Sequence, residues 1–546
     1  MPTQHTPEQQ AIISAGASSN ASLLIEARAG TGKTTTLMNL LPNLSSSTAI
    51  MAFNRSIADE LKARVADLPF SVQLGVELGT VHSFGLKAFT KGEGRRPKVS
   101  GGKVSFIIKD HLATRPKSEQ DYWKPVTYLI KQIVGGAKNA GFGIMSAAEP
   151  FPDPANDFAW WDMLSHFNWD LELENAGVDP EKAAALAKHI LDLSNRQLSN
   201  IDFDDMIYLP LLLNHHIPQF HNVLIDEAQD ISPTRREFAF RMLSHGGRII
   251  AVGDEYQAIY GFTGADANSL SAIKRRASAE SYPLTICWRC DDAIISAAQE
   301  YVPDIQARPG ATAGEVSEVS LPTLAAFFDG TLPSDKTPDE ALIPRPGDAI
   351  LCRLNKPNVS MALTLIKSGI RARIEGRDLG SKLLSHVKAS NPLYHTAHLS
   401  ELIINLEDYG RNQQAALTRL ERHASAAYLQ DEIDCAILLM ERCLANGHES
   451  FDALEYLISD LFADDIPPSG VVTLSSIHKA KGREWPRVFL LGKSDYQPFH
   501  RATQPWEKQQ ERNLIYVAYT RAERHLIHIT GVQSHLDKAK SAKADA

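Results

Sequence analysis

Two short stretches carry residue types whose order could do chemistry on a phosphate. In "EARAGTGKTTT", Glu26 to Thr36, a glycine-bearing Lys-Thr loop follows the apolar run Leu23-Leu24-Ile25 and precedes an apolar helical pattern. Strand, loop and helix start form a phosphate cradle. The N–H groups of Gly30 to Thr34 converge on an anion, Lys33 neutralises β/γ charge, and the Thr34 hydroxyl can hold Mg²⁺. The second stretch, "NVLIDEAQD", ends an apolar run in Asp226-Glu227. That places two carboxylates at the C-terminal edge of a sheet, where open α/β folds receive ligands. Asp226 would complete the Mg²⁺ environment, and Glu227 would orient an attacking water or accept its proton. The pair describes a site for ATP and Mg²⁺. One position departs from the general loop pattern: Ala27 stands where Gly is usual.

The elements that must position these residues are legible as two series of strand-length apolar runs alternating with helical patterns. Leu23–Ile25, Ala49–Phe53, Val223–Ile225 and Ile249–Val252 form the first series; Ala349–Leu354, Val471–Leu474, Val488–Leu491 and Leu526–Ile529 form the second. Alternation of this kind predicts parallel sheets flanked by helices, hence two α/β domains. Each is interrupted by a mainly helical stretch. The expected organisation is a first core over 1–90 and 200–275 with a helical insertion over 91–199. A second core over 276–378 and 470–533 carries a helical insertion over 379–469, and a disordered tail spans 534–546. Trp160, Trp161, Phe167 and Trp169 fall near helical spacing, which predicts that they pack the core of the first insertion.

Bulk composition excludes several classes. The chain has 546 residues, 43% hydrophobic and 22% charged, without an apolar run long enough to span a membrane. The polar start "MPTQHTPEQQ" lacks a signal-peptide core, so a cytoplasmic protein is expected. Five cysteines are too few for a disulfide scaffold, and the single CxxC, Cys287 and Cys290, has no second ligand pair, so buried thiols are expected. A net charge of −9 gives no compositional support for a nucleic-acid partner, although a local basic groove could still bind one. "KGEGRRPKVSGGK", Lys91 to Lys103, is either such a groove segment or a solvated loop.

"ARAGTGKT" and "IDEAQD" resemble the superfamily 1 helicases, specifically the UvrD/Rep-like group, in which Ala often replaces the first loop Gly. "TPEQQ", "GTVHSFG", "IDFDDM", "VGDEYQAIYGFTGAD", "LTICWRC", "VTLSSIHKAKGREWPRVF" and "ERNLIYVAYTRAERHL" follow in the family's order. The resemblance covers most of both α/β regions and implies two RecA-like domains. It implies an ATP site built from Gln9 (with Gln10 as fallback), Ala29, Gly30, Thr31, Gly32, Lys33, Thr34 and Thr35. Gln257 would be the γ-phosphate sensor, Trp288 would stack on adenine, and Arg289 and Arg521 would reach the γ-phosphate. Glu484 would lie near the ribose and phosphates. Thr35 is a departure, because relatives often carry Arg there, beside adenine.

The same resemblance makes Tyr260 and Phe262 a base-stacking pair and gives Asn54, Thr80, His82 and His478 contacts to a DNA strand. Phe53 belongs with them, one place from the family's usual aromatic. The implied activity is an ATP-driven motor on single-stranded DNA and at junctions of single and double strands, travelling 3′ to 5′ and unwinding duplex in repair, recombination or replication. It would be nucleoid-associated in use and monomeric in isolation, with protein partners reaching the helical insertions. Competing readings are a translocase that strips proteins from DNA and a DNA-dependent ATPase subunit. A nuclease fusion is disfavoured by the short stretch after Arg521, and the motifs leave RNA open as a substrate.

Overall fold

The computed structural model describes residues 5–44, 47–52, 54–261, 268–333, 338–375, 377–391, 398–419, 423–462, 467–496, 502 and 504–532. Phe53, Phe262 and the tail from residue 534 lie outside the described residues. The chain divides into two compact units, one running to Thr285 and the other starting at Ile286.

The sheet of the first unit comprises β1 (Leu23–Ala27), β2 (Thr48–Ala52), β3 (Val76–Thr80), β4 (Phe220–Ile225), β5 (Leu243–Gly253) and β6 (Glu280–Leu284), in spatial order β3-β2-β4-β5-β1-β6. Every pairing is parallel, with Leu23 opposite Ile250 and Ile50 opposite Leu224. Period-two alternation of side chains sorts the interior strands onto two buried faces. Ile25, Ile50, Leu224 and Ile250 pack on one side with Ile12 and Leu37. Leu24, Met51, Val223 and Ile249 pack on the other, in an apolar cluster that continues without a break into the inserted helices through Ile107, Ile130, Trp160 and Ile190.

Those helices include Lys103–Ala113, Thr127–Ala140, Asp157–His166 and Pro180–Arg196. Two expectations need correction here. Trp160 is buried, but Trp161 is 42% exposed and does not belong to the insertion core. Lys103 cannot serve a basic groove: it is fully buried, its Nζ 2.7 Å from Asp205 and donating also to the Ser194 carbonyl. Lys138 joins the same cluster, 2.6 Å from Asp202 and 2.7 Å from Asp205. Burial opposes ionisation of Asp205, but Lys138 and Lys103 override it and hold its carboxyl below the usual range.

The second unit repeats the architecture with β7 (Glu315–Ser320), β8 (Ala349–Cys352), β9 (Ala372–Ile374), β10 (Val472–Ser476), β11 (Trp485–Leu491) and β12 (Ala522–Thr530), in order β7-β12-β11-β8-β10-β9, again all parallel. Helices Arg377–Ser390, Leu399–Arg419, His423–Ala445 and Phe451–Leu461 lie between β9 and β10 in the chain. The first unit extends about ten residues past the expected break after 275, because β6 pairs with β1 from Leu23↔Glu280 to Ala27↔Leu284. Among the described residues no helix is long and apolar enough to cross a membrane.

Candidate active site

The motif residues of the first unit follow the carboxyl ends of its strands, the side on which ligands of such sheets bind. β1 runs into the loop that turns at Gly30 (φ +68°) and Gly32 (φ +81°), left-handed conformations that glycine adopts without a Cβ penalty. The helix Lys33–Leu40 then starts with Lys33 and Thr34 in its first turn. Gln9 sits behind this turn. It closes a capping box with Thr6, and its Nε2 donates to the Thr36 hydroxyl at 3.4 Å, while Gln10 is exposed. Thr35 is exposed and accepts from Arg64 at 3.4 Å.

β4 delivers Asp226 and Glu227 to the same edge. Lys33 Nζ lies 3.1 Å from Glu227 Oε1, and the Glu227 N–H donates to Asp226 Oδ1 at 2.9 Å. Glu227 adopts φ +51°, a left-handed conformation that a non-glycine residue takes only at some cost. Asp226 is buried, and burial, with the neighbouring Glu227 charge, pushes its carboxyl up to about 7 against the pull of Lys33. The donor set fits Mg²⁺. A hydroxyl at Thr34 and a single desolvated carboxylate suit a hard ion that takes its other oxygens from phosphates and water. Among the described residues no group of three or more His, Cys, Asp or Glu could form a metal cage, which is the other common arrangement.

A buried relay leaves Glu227. Gln229 donates to Glu227 and accepts from the Asp254 N–H at 3.0 Å, and Gln257 Nε2 donates to Asp254 Oδ2 at 2.6 Å. Burial raises the Asp254 carboxyl, opposed first by Lys33. Gln257 is thus tied to Glu227 through the Gln229 side chain and the main chain and carboxyl of Asp254, two residues that sequence reasoning left unassigned. Their only signal was polarity at the ends of apolar runs.

Around this core the DNA-contact expectations divide. Asn54 and Thr80 act as helix caps, accepting from the Ile57 and Ser83 N–H groups at 2.9 and 3.2 Å. His82 is held neutral, its pKa lowered to about 4 by burial and by Arg235. Its ring meets Phe203 edge-on at 6.5 Å, and Phe203 is 59% exposed. Phe203 was not singled out from the sequence, where it stands as an aromatic between acids in "IDFDDM". The Tyr260 hydroxyl is pushed up to about 12 by burial and then by Asp230 and Glu227.

The residues singled out in the second unit lie at both ends of its sheet. At the amino ends of β11 and β12, Arg289 Nε lies 2.5 Å from Glu484, and its Nη1 donates to the Thr520 carbonyl at 3.0 Å. Arg521 is buried beside them and donates to the carbonyls of Val517 and Arg483 at 2.9 and 3.1 Å. Trp288, next in the chain to Arg289, is 44% exposed, whereas Cys287 and Cys290 are buried free thiols. His478 lies at the opposite, carboxyl end, just after β10, with its pKa lowered to about 3 by burial, then by Arg353 and Lys481.

Comparison with known proteins agrees with this architecture. A family model described as the UvrD/REP helicase N-terminal domain matches residues 5–278, and one described as the UvrD-like helicase C-terminal domain matches 392–533. Relatives include the probable DNA helicase II homolog of Mycoplasma pneumoniae, 24% identical across 97% of this chain and 84% of that protein. The ATP-dependent DNA helicase UvrD2 of Mycobacterium tuberculosis is 24% identical across 92% of this chain and 75% of its own length. The F-box DNA helicase protein 1 of Schizosaccharomyces pombe is 24% identical across 96% of this chain, which spans 57% of it.

Proposed function

Because the chain belongs to the UvrD/REP helicase family and is an ATP-hydrolysing enzyme, we propose that it is a DNA helicase moving 3′ to 5′ along single-stranded DNA and displacing the complementary strand. The observation that carries the reading is Lys33 at 3.1 Å from Glu227, with Asp226 beside it, on a phosphate loop and a facing strand end. A triphosphate in the loop competes with Glu227 for the Lys33 ammonium. Its arrival therefore frees the carboxylate to take a proton from the attacking water. Thr34 and Asp226 would hold Mg²⁺, which when bound supplies charge neutralisation between phosphate oxygens.

In the second unit, the reading gives Trp288 the adenine, Glu484 the ribose side, and Arg289 and Arg521 the charge that develops on the γ-phosphoryl group. Arginines in such roles are worth about 10³ to 10⁵ in rate. Arg521 would have to exchange its carbonyl partners for phosphate oxygens, which makes hydrolysis depend on a rearrangement. On the strand side, Tyr260 with Phe203 would stack on bases, with His82 and His478 alongside. A base–aromatic stack is worth about 1–3 kcal/mol. Opening one duplex step costs about 1.4 kcal/mol, so one exchanged stack per ATP is of the size a single-base step needs. The protein would act at junctions of single and double strands in repair, recombination or replication, as a monomer.

Unwinding of matched 3′-tailed, 5′-tailed and blunt duplexes, with an RNA-tailed control, tests the reading. ATP-dependent opening only from the 3′ DNA tail is the expected result. Opening only from the 5′ tail overturns the direction, and DNA-stimulated hydrolysis without opening of any duplex overturns the helicase assignment.

A further inference from the structure

One side chain on the phosphate loop is left unused by the ATP chemistry above. Arg28 follows β1 directly, and only 6% of it is exposed. Its backbone is fixed within the first unit: the N–H donates to the Leu284 carbonyl at 2.8 Å, and the carbonyl accepts from the Thr31 hydroxyl at 2.8 Å. Its guanidinium donates through Nη1 to the Ala27 carbonyl at 3.3 Å. It lies 4.9 Å from the centroid of the Tyr256 ring and 4.0 Å from the Glu255 carboxylate.

Tyr256 and Glu255 belong to the single helical turn Glu255–Gln257, which ends in the γ-phosphate sensor and leads into Tyr260. A buried cation needs its charge met, and beside the Ala27 carbonyl this one finds a carboxylate and a ring face that both come from that turn. The phosphate loop and the segment that continues toward the strand-facing aromatic are therefore joined by one guanidinium, in addition to the Glu227–Gln229–Asp254–Gln257 relay. A triphosphate brings negative charge into the loop that carries Arg28. It competes with Glu255 and the Tyr256 ring for the same cation, so a change in the loop changes the hold on the turn.

We propose that Arg28 is a positioning residue that couples the phosphate loop to the Glu255–Tyr260 segment, so that strand binding at one end and ATP turnover at the other act on each other. The proposal rests on the motor reading above and adds a specific link to it. Arg28→Met keeps the aliphatic stem and removes the charge. Tyr256→Phe keeps the ring face, and Tyr256→Leu removes it.

Steady-state ATP hydrolysis is measured with and without oligodeoxythymidine for the wild type, Arg28→Met, Tyr256→Leu, Tyr256→Phe and the Arg28→Met/Tyr256→Leu double variant. Coupling between two sites commonly amounts to about 5- to 150-fold; a loss of about tenfold in DNA-stimulated kcat is expected for Arg28→Met and for Tyr256→Leu, with KM for ATP unchanged. The double variant should be no worse than either single one, since both remove the same contact, and Tyr256→Phe should match the wild type. The proposal is overturned by KM rising in step with the loss of kcat, which marks a merely structural loop residue. Additive losses in the double variant, or Tyr256→Phe as impaired as Tyr256→Leu, overturn it equally. If oligodeoxythymidine fails to stimulate the wild type, the motor reading falls and takes this proposal with it. If the wild type and both single variants are stimulated by the same factor, the Arg28 link alone falls.

Discussion

Replacing Asp226 with Asn should abolish turnover yet stabilise the first unit, by an amount that grows with pH. The carboxyl is raised from 3.8 to about 7 by burial and the Glu227 charge. The sign follows from linkage. The folded state holds the proton more tightly than the unfolded chain, so stability is intact below 3.8 and is lost as pH rises to about 7, beyond which the loss is complete. A pKa difference of that size is worth at most about 4 kcal/mol at pH 8. Asparagine keeps the oxygen that accepts from the Glu227 N–H but adds an amide NH₂ that needs partners, an offset of about 1–3 kcal/mol that does not depend on pH.

The pH dependence therefore isolates the carboxylate. Between pH 5 and pH 8 the advantage of Asp226→Asn over wild type should grow by roughly 2–3 kcal/mol, or several degrees in Tm at about 2–4 °C per kcal/mol. Thermal melts of both proteins at closely spaced pH values, with a chelator present, measure it. A difference that stays flat from pH 5 to pH 8 would refute the argument, whatever its sign. Addition of Mg²⁺ with a non-hydrolysable ATP analogue at pH 8 should stabilise the wild type more than the variant.

Three further outcomes are expected. Lys33→Ala and Glu227→Gln should each lower DNA-stimulated kcat by about 10²-fold or more while far-UV circular dichroism stays unchanged, and retained turnover in Glu227→Gln would remove that residue from its role. Asp205→Asn leaves two buried ammonium groups short of their shared carboxylate and should cost about 3–5 kcal/mol in urea unfolding; a cost under about 1 kcal/mol would mean that the lysines are solvated elsewhere. His82 and His478, lowered to about 4 and about 3, stay neutral near physiological pH and lend stability that is lost as pH falls from 6.5 toward those values. Fluorescence anisotropy with an oligonucleotide should accordingly show no titration near pH 6.5 that His82→Asn or His478→Asn abolishes.

The eight strands readable as apolar runs are the interior strands of the two sheets. The four that carry no such run, β3, β6, β7 and β9, are their edges. An interior strand of a parallel sheet is buried on both faces and reads as continuous hydrophobicity, whereas an edge strand is half-solvated and mixes in polar residues. β7, "EVSEVS", and β6, "ESYPL" with a proline that only an edge tolerates, show the effect. The displaced boundary after 275 has the same origin, since the strand that extends the first unit is one of these.

At the site, the residues proposed to meet phosphate were legible because loop, Lys-Thr and paired acids keep short spacings. The partners Gln229, Asp254 and Arg28 were not, because their roles come from contacts between strands far apart in sequence. Asn54 and Thr80 carry a local role that their place in the motifs did not reveal. The family resemblance implies contact with a strand for both, and in the structure each side chain accepts a backbone N–H as a helix cap.

The unbroken apolar cluster between the first sheet and its inserted helices bears on protein engineering. Cutting out residues 103–196 would strip cover from Leu24, Met51, Val223 and Ile249 and orphan Asp205 at once. A trimmed version would thus expose a greasy plane with unmatched charge beside it and should precipitate rather than survive as a minimal ATPase. Point changes on the outer surface of those helices, such as at Trp161, offer the safer way to ask what they touch.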